Sequence, residues 1–215
     1  MSIRWSEDWL LLPQRFALHV PSATAVLADI HLGYTAARQR LGDAIPSRSV
    51  DDEMQPLTQA AAMHDIRALV VAGDLFERRF EPDLWQRWLD LLARLEIWVA
   101  GVVPGNHDRG IEAIGSDLLH PAGYALAGWQ IVHGDTSTRQ ARTISGHWHP
   151  ALRHPRRKVP CFLARGQHLV LPAFSLDAAG MDVDAEPRWR AWQRIAVESI
   201  KLRESVTSLP EAPDE

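Results

Sequence analysis

Three apolar runs in this chain each stop at a short polar motif, and that repetition restricts the possible folds more than any other feature. Thr24-Ala25-Val26-Leu27-Ala28 runs into Asp29. Arg67-Ala68-Leu69-Val70-Val71-Ala72 runs into Gly73-Asp74, and Ile97 to Val103 runs into Pro104-Gly105-Asn106-His107-Asp108. Short unbroken apolar runs are the pattern of strands covered on both faces. Between the second and third runs, Leu84, Trp85, Trp88, Leu91, Leu92 and Leu95 recur at helical spacing, which predicts a helix over Pro82 to Arg94. Strand, helix, strand with polar chemistry at the strand ends is the arrangement of α/β sheets, where ligands gather at the carboxyl edge.

The flanking segments extend this plan. Trp9 to Val20 reads as one or two short strands broken at Pro13, and Gly33 to Pro46 as a long connection with few apolar anchors. Ser47 or Ser49 can cap a helix running to about His64. From Tyr124 the rhythm changes to short strands: 124–126, 129–132, 142–144, 159–164 and 168–171, the last two joined by a turn at Arg165-Gly166-Gln167. Trp189, Trp192, Ala196 and Ile200 fit a helix, while Ile195 and Val197 fit an alternating strand, so the last thirty residues stay open. The expected fold is α/β (α+β): a two-sheet β-sandwich flanked by helices, in one domain over 1–205, with an acidic, frayed tail at 206–215.

Composition narrows the function classes. The net charge of −4 argues against a protein that coats nucleic acid over its whole surface. Cys161 is the single cysteine, so there is neither an internal disulfide nor a thiolate metal cluster. No apolar stretch reaches the roughly 18 residues of a membrane span, and the first residues lack a secretory pattern; a soluble, cytoplasmic protein is expected. One basic region stands out, with Arg142, Arg153, Arg156, Arg157 and Lys158 beside the last polar motif. A solvated basic loop and a phosphate-binding surface are equal readings of it until that neighbour is considered.

Five segments carry ligand-type atoms: Asp29-Ile30-His31, Gly73-Asp74, Gly105-Asn106-His107-Asp108, His133-Gly134-Asp135 and Gly146-His147-Trp148-His149. On an extended backbone, side chains two apart share a direction. Asp29 and His31 can then face one ion, and His147 and His149 one cavity, with Trp148 turned away into packing. The Asp74 carboxylate has two oxygens and can bridge two cations. Asn106 offers an amide oxygen and His133 another imidazole. A nitrogen and oxygen shell without sulfur suits Mn²⁺, Fe²⁺ or Zn²⁺ better than Ca²⁺ or Mg²⁺. Each motif alone is weak; five in order, three of them directly after apolar runs, are not.

The ordered set resembles the calcineurin-like metallophosphoesterase superfamily. Over roughly residues 10 to 185 the chain is similar to the bacterial ligase-associated DNA damage response endonucleases of the PdeM type. The supporting stretches are Ala28-Asp29-Ile30-His31-Leu32-Gly33, Gly73-Asp74-Leu75-Phe76, Ile144-Ser145-Gly146-His147-Trp148-His149-Pro150 and Leu171-Pro172-Ala173-Phe174. The resemblance implies a four-layer αββα fold. It also implies two divalent metals, Mn²⁺ first with Fe²⁺ or Zn²⁺ as alternatives. Asp29, His31 and His149 would hold one metal, Asn106, His133 and His147 the other, with Asp74 bridging.

By the same resemblance His107 assists the leaving group, Glu77 or Asp108 orients it, and Arg78 binds phosphate. Arg153, Arg156, Arg157 and Lys158 are the expected nucleic-acid contacts. The implied partners are DNA, an ATP-dependent DNA ligase, a helicase and a β-lactamase-fold exonuclease. Two positions depart from the family pattern: Tyr34 stands where many relatives carry lysine, and Asp135 where many carry a second histidine. The expected activity is a phosphodiesterase acting on DNA, an endonuclease of DNA repair. The alternatives are a small nucleotide substrate or a non-catalytic scaffold for protein binding.

Overall fold

The computed structural model describes residues 2–135, 141–155 and 157–199. One sheet runs in the order β1 (Ile3–Arg4), β2 (Trp9–Leu12), β3 (Phe16–His19), β4 (Thr24–Leu27), β5 (Ala68–Ala72) and β6 (Trp98–Val103). Its first four strands form an antiparallel meander, and β4, β5 and β6 are parallel. The second sheet contains β7 (Tyr124–Leu126), β8 (Trp129–Val132), β9 (Thr143–Ser145), β10 (Pro150–His154), β11 (Arg157–Arg165), β12 (His168–Val170) and β13 (Met181–Asp182), with β14 (Gln193–Ala196) paired to β11. Within it β8, β9 and β12 are mutually parallel. Each sheet therefore presents a set of parallel carboxyl ends.

Alternation along the central strands explains their unbroken apolar sequences. Val26 and Val70 turn into the gap between the sheets, where they meet Trp9, Ile131, Ile144 and Phe162. Leu27, Leu69 and Val71 turn the other way, onto Met54, Leu57, Trp88 and Leu91 of the helices. With both faces covered, neither face tolerates a polar residue. Outside the second sheet, Cys161, Leu163, Val170 and Trp189 form a smaller cluster on which Trp148 packs. Burial pushes the Cys161 thiol up to about 12, so it behaves as a small apolar group.

The helix α4 (Pro82–Arg94) and the strands at 9–12, 16–19, 68–72 and 98–103 lie where the periodicity places them. Three segments differ. The supposed connection after Gly33 contains α1 (Tyr34–Arg40), which buries only Thr35 and Ala37 and so carries little apolar signal. The helix after Ser49 is divided into α2 (Val50–Glu53) and α3 (Gln55–Ala61) at Met54, two residues before Pro56 removes a backbone donor. Ser49 is the cap, forming a reciprocal capping box with Asp52. Pro150–His154, which shows no apolar alternation, is nonetheless strand β10, paired with β11 from Ala151↔Pro160 to His154↔Arg157. The open C-terminal segment forms a 3₁₀ turn at Pro187–Trp189 and then β14. Arg156 and the acidic tail at 206–215 lie outside the described residues. No helix among the described residues is long and apolar enough to cross a membrane.

The loop that enters α1 is held from below by α2. Gly33 N–H donates to Glu53 Oε2 at 3.3 Å, while Glu53 Oε1 is buried with no partner among the described residues. Burial, opposed by that backbone bond, pushes the Glu53 carboxyl up to about 7. The folded protein thus holds a proton that the unfolded chain, with an ordinary carboxylate, releases at lower pH. This contribution to stability is full below the unfolded value and is lost as pH rises through about 7. Replacing Glu53 by Gln should raise the melting temperature relative to wild type at pH 8 and change it little at pH 4, measured by thermal denaturation across pH.

Candidate metal centre

Every ligand-type motif lies beyond the carboxyl end of a strand that has at least one parallel neighbour. Asp29 and His31 follow β4, Asp74 follows β5, Asn106 and His107 follow β6, His133 follows β8, and His147 and His149 follow β9. The local backbone departs from the extended form expected from the sequence. Asp29, His31, Asp74, His147 and His149 all have positive φ, between 42° and 70°. They are five of the nine non-glycine residues in this region of φ among the described residues. L-residues rarely adopt it, and such residues gather at functional sites. At Asp29 and His31 the turned backbone still bonds across to the next loop. Asp29 N–H donates to Gly73 O at 3.0 Å, His31 N–H to Asp74 O at 3.0 Å and Leu32 N–H to Leu75 O at 2.8 Å. The two side chains reach one site through left-handed kinks, with the peptide groups between them still paired.

Three groups of ligand-type atoms result, one of which, His31, Glu77 and His107, shares His31 with the first of the two that hold the expected ligands. In the first, ligand atoms of Asp29, His31 and His149 lie within 4.8 Å of one another; in the second, those of Asp74, His133 and His147 do. Asn106 joins the second, its Oδ1 3.0 Å from His133 Nε2. The same Nε2 is 3.6 Å from Asp74 Oδ2 and 3.0 Å from His147 Nδ1. Four ligand-type atoms, from Asp74, Asn106, His133 and His147, thus crowd together around His133 Nε2. In the first cluster His149 Nε2 is buried with no hydrogen-bond partner among the described residues, standing 3.4 Å from Asp29 Oδ1 as an ion-pair contact. These orphaned nitrogens and buried carboxylates are the shell that divalent cations require.

The electrostatics agree with that use. Burial, reinforced by the neighbouring His133, holds His147 below the usual imidazole range, favouring its neutral form. His149 is opposed by burial but held above that range by the adjoining Asp29 carboxylate. The carboxylates there attract positive charge, which a cation can supply in place of a proton.

The remaining motif residues divide by what they touch. His107 Nδ1 lies 2.6 Å from the Glu77 carbonyl oxygen. A carbonyl only accepts, so Nδ1 carries a hydrogen and Nε2 is left for chemistry. The Glu77 carboxylate faces His31 instead, with Oε2 at 3.1 Å from Nδ1. Asp108 does not meet the His107 ring: its buried carboxylate accepts the amides of Leu75, Phe76 and Gly105 at 3.2, 2.8 and 2.9 Å. It ties the loop after β6 to the loop after β5. His107 N–H in turn donates to Asp74 Oδ1 at 2.8 Å.

Among the expected substrate contacts, Arg78 is exposed and lines a depression with Asn106 and His107. Arg157 is engaged by Glu198 at 2.7 Å, and Lys158 Nζ donates to the Gly180 carbonyl. Lys158 also lines a small cavity with Arg15 and His149, while Arg153 stands exposed across from it on the β10–β11 pair. Arg15, Arg38 and Arg109 border the centre but belong to none of the motifs. Only Arg109, next to Asp108, had a signal of position. Trp148 packs against Trp189 at 6.0 Å on the outer face of the second sheet, with the Arg188 guanidinium 3.9 Å from its ring.

Residues 23–158 match the family model of the calcineurin-like phosphoesterases. The chain is also similar to the crystal structure of Pseudomonas putida nuclease MPE. The TM-score is 0.73 and the identity 21%, over 93% of this chain and 97% of that one. No curated protein sequence matches.

Glycine sits where the loops approach most closely. A Cβ at Gly105 would stand 2.1 Å from Asp74 Oδ1, and one at Gly146 would stand 2.5 Å from Ala28 Cβ and 2.7 Å from Asp29 Oδ2. Replacing Gly146 by Ala should force the sheets apart at their ligand edge, costing about 1–3 kcal/mol by overpacking. Elemental analysis of the folded variant should show loss of bound metal. Full metal content would mean that the contact is not what holds the clusters together.

Proposed function

The chain belongs to the calcineurin-like phosphoesterase family, whose members hydrolyse phosphoric esters with divalent metals, and from that premise we propose that its substrate is DNA. It acts in this reading as a phosphodiesterase, an endonuclease of the ligase-associated PdeM type serving DNA repair. Mn²⁺ is the preferred ion, on the mixed imidazole and carboxylate shell. The observation that carries the reading is where the centre opens. Arg78, Asn106 and Arg109, all exposed, border a depression of about 420 Å³ next to His107. A polymer can pass over such a site with its other phosphates still in solvent. The neighbour's description as a nuclease supports the same direction.

In this mechanism Asp29, His31 and His149 would hold one metal and Asn106, His133 and His147 the other, with the Asp74 carboxylate available to both. Ions bound there would supply an activated water and positive charge for the phosphate oxygens. His107 belongs to neither of these ligand sets but adjoins the first through His31. Its Nδ1–H is fixed by the Glu77 carbonyl, so Nε2 is the atom that passes a proton to the leaving oxygen. Glu77 steadies His31 through its carboxylate and His107 through its carbonyl. Arg78 neutralises a phosphate oxygen.

Assays across plasmid, single-stranded and nicked DNA, beside cyclic nucleotides and mononucleotide esters, test the substrate. Metal-dependent cleavage of DNA is expected; hydrolysis of the small esters alone would sink the DNA reading. His107→Ala should keep its metals and lose about 10²–10⁴ in turnover. Full activity in that variant would remove the assigned role. Asp74→Asn should lose the second metal and nearly all activity, read by elemental analysis and by rate.

A further inference from the structure

Three arginines gather on the His107 side of the centre. Arg38 comes from the last turn of α1, Arg78 from the loop after β5 and Arg109 from the loop after β6. They line one depression, where Glu77 is the single carboxylate among the lining residues. Its carboxylate faces His31. Arg78 and Arg109 make no ion pair among the described residues, whereas Arg38 is held through Nε by Asp43 at 2.5 Å. The backbone keeps the loops adjacent: Phe80 N–H donates to Arg109 O at 2.8 Å, and Arg79 and Arg109 form a parallel bridge. Like charges on neighbouring loops repel, and a bound anion relieves that cost. The depression, about 420 Å³, lies in the size range of pockets for nucleotide-sized groups.

The direction of the strand follows from the histidines. The His31 ring adjoins both His107 and His149, at centroid distances of 5.1 and 5.4 Å. Arg15 and Lys158 approach from the His149 side, and the three arginines from the His107 side. If His107 serves the leaving oxygen, the chain beyond that oxygen passes over the arginine depression.

We propose that Arg38 and Arg109 bind the phosphate adjoining the scissile one on the leaving-group side of a single strand. The strand then leaves the metal centre across His107 toward α1, away from the β10–β11 hairpin. This rests on the DNA reading of the site. Guanidinium groups suit the task because they bind phosphate oxygens in pairs and stay charged at every working pH.

The test uses the full chain with Mn²⁺ and a single-stranded oligonucleotide, comparing Arg38→Ala, Arg109→Ala and the double variant. Arg67→Ala is the control, since Arg67 pairs with Asp65 at the opposite end of β5. The double variant should raise KM for the oligonucleotide about tenfold with a smaller change in kcat. Its plot of log kcat/KM against log salt should be shallower by about 0.7, the value of one phosphate contact on a single strand. A methylphosphonate at the neighbouring leaving-side phosphate should weaken wild type comparably and the double variant no further. KM and salt slope matching the Arg67→Ala control overturn the proposal while leaving DNA as substrate. Wild-type hydrolysis of bis(p-nitrophenyl) phosphate without cleavage of any oligonucleotide overturns the DNA reading, and this proposal with it.

Discussion

The two sheets are joined at one buried carboxylate. Asp29, at the end of β4, accepts the backbone amide of His147 with both oxygens, at 2.9 and 3.1 Å, and is fully buried. His147 belongs to the second sheet and Asp29 to the first, so this contact sets the distance between their ligand edges. Its strength comes from burial: in a low-dielectric site a hydrogen bond to a carboxylate is stronger than in water. Gly146 allows the approach by leaving no side chain between Ala28 and Ala72. Phe174 N–H to Ala28 O and Ser175 N–H to Asp29 O extend the same seam along the next loop.

That seam explains why strained backbone is tolerated where the donors converge. A left-handed conformation costs roughly 1–2 kcal/mol for an ordinary residue. Five such residues would be a large fraction of a domain's net stability if nothing offset them. Cross-loop hydrogen bonds from Asp29 and His31 to Gly73 and Asp74 return part of it, and cation binding at the converged donors would return more. The site is consequently preorganised, with donors fixed by backbone on both sides before substrate arrives.

The loop after β6 shows one short segment serving several needs. Asp108 fastens it to the loop after β5 through three amides, and Gly105 lets its backbone lie against Asp74. Asn106 and His107 then fall on the two sides of Asp74, one toward His133 and the other toward His31. Replacement at any of these positions moves the others, because they share one backbone turn.

Much of this was legible in one dimension. The central strands and α4 declare themselves because a strand buried on both faces must be apolar throughout, and a helix on a sheet must repeat near every third or fourth residue. The ligand motifs are legible because they follow those strands, at edges where parallel sheets collect chemistry. The helix α1 is hidden since it buries only small residues, and β10 since its outward face is basic and its pairing is supplied by β11. Local sequence thus determined which elements form and which residue types end them. Only the tertiary structure decided which side chains meet: that the Glu77 carboxylate turns to His31, that Asp108 binds backbone and not His107, and that Arg38 stands beside Arg109. The physical reason is range. Periodicity acts over a few residues, whereas these contacts depend on the spacing of two sheets and the handedness of single peptide turns.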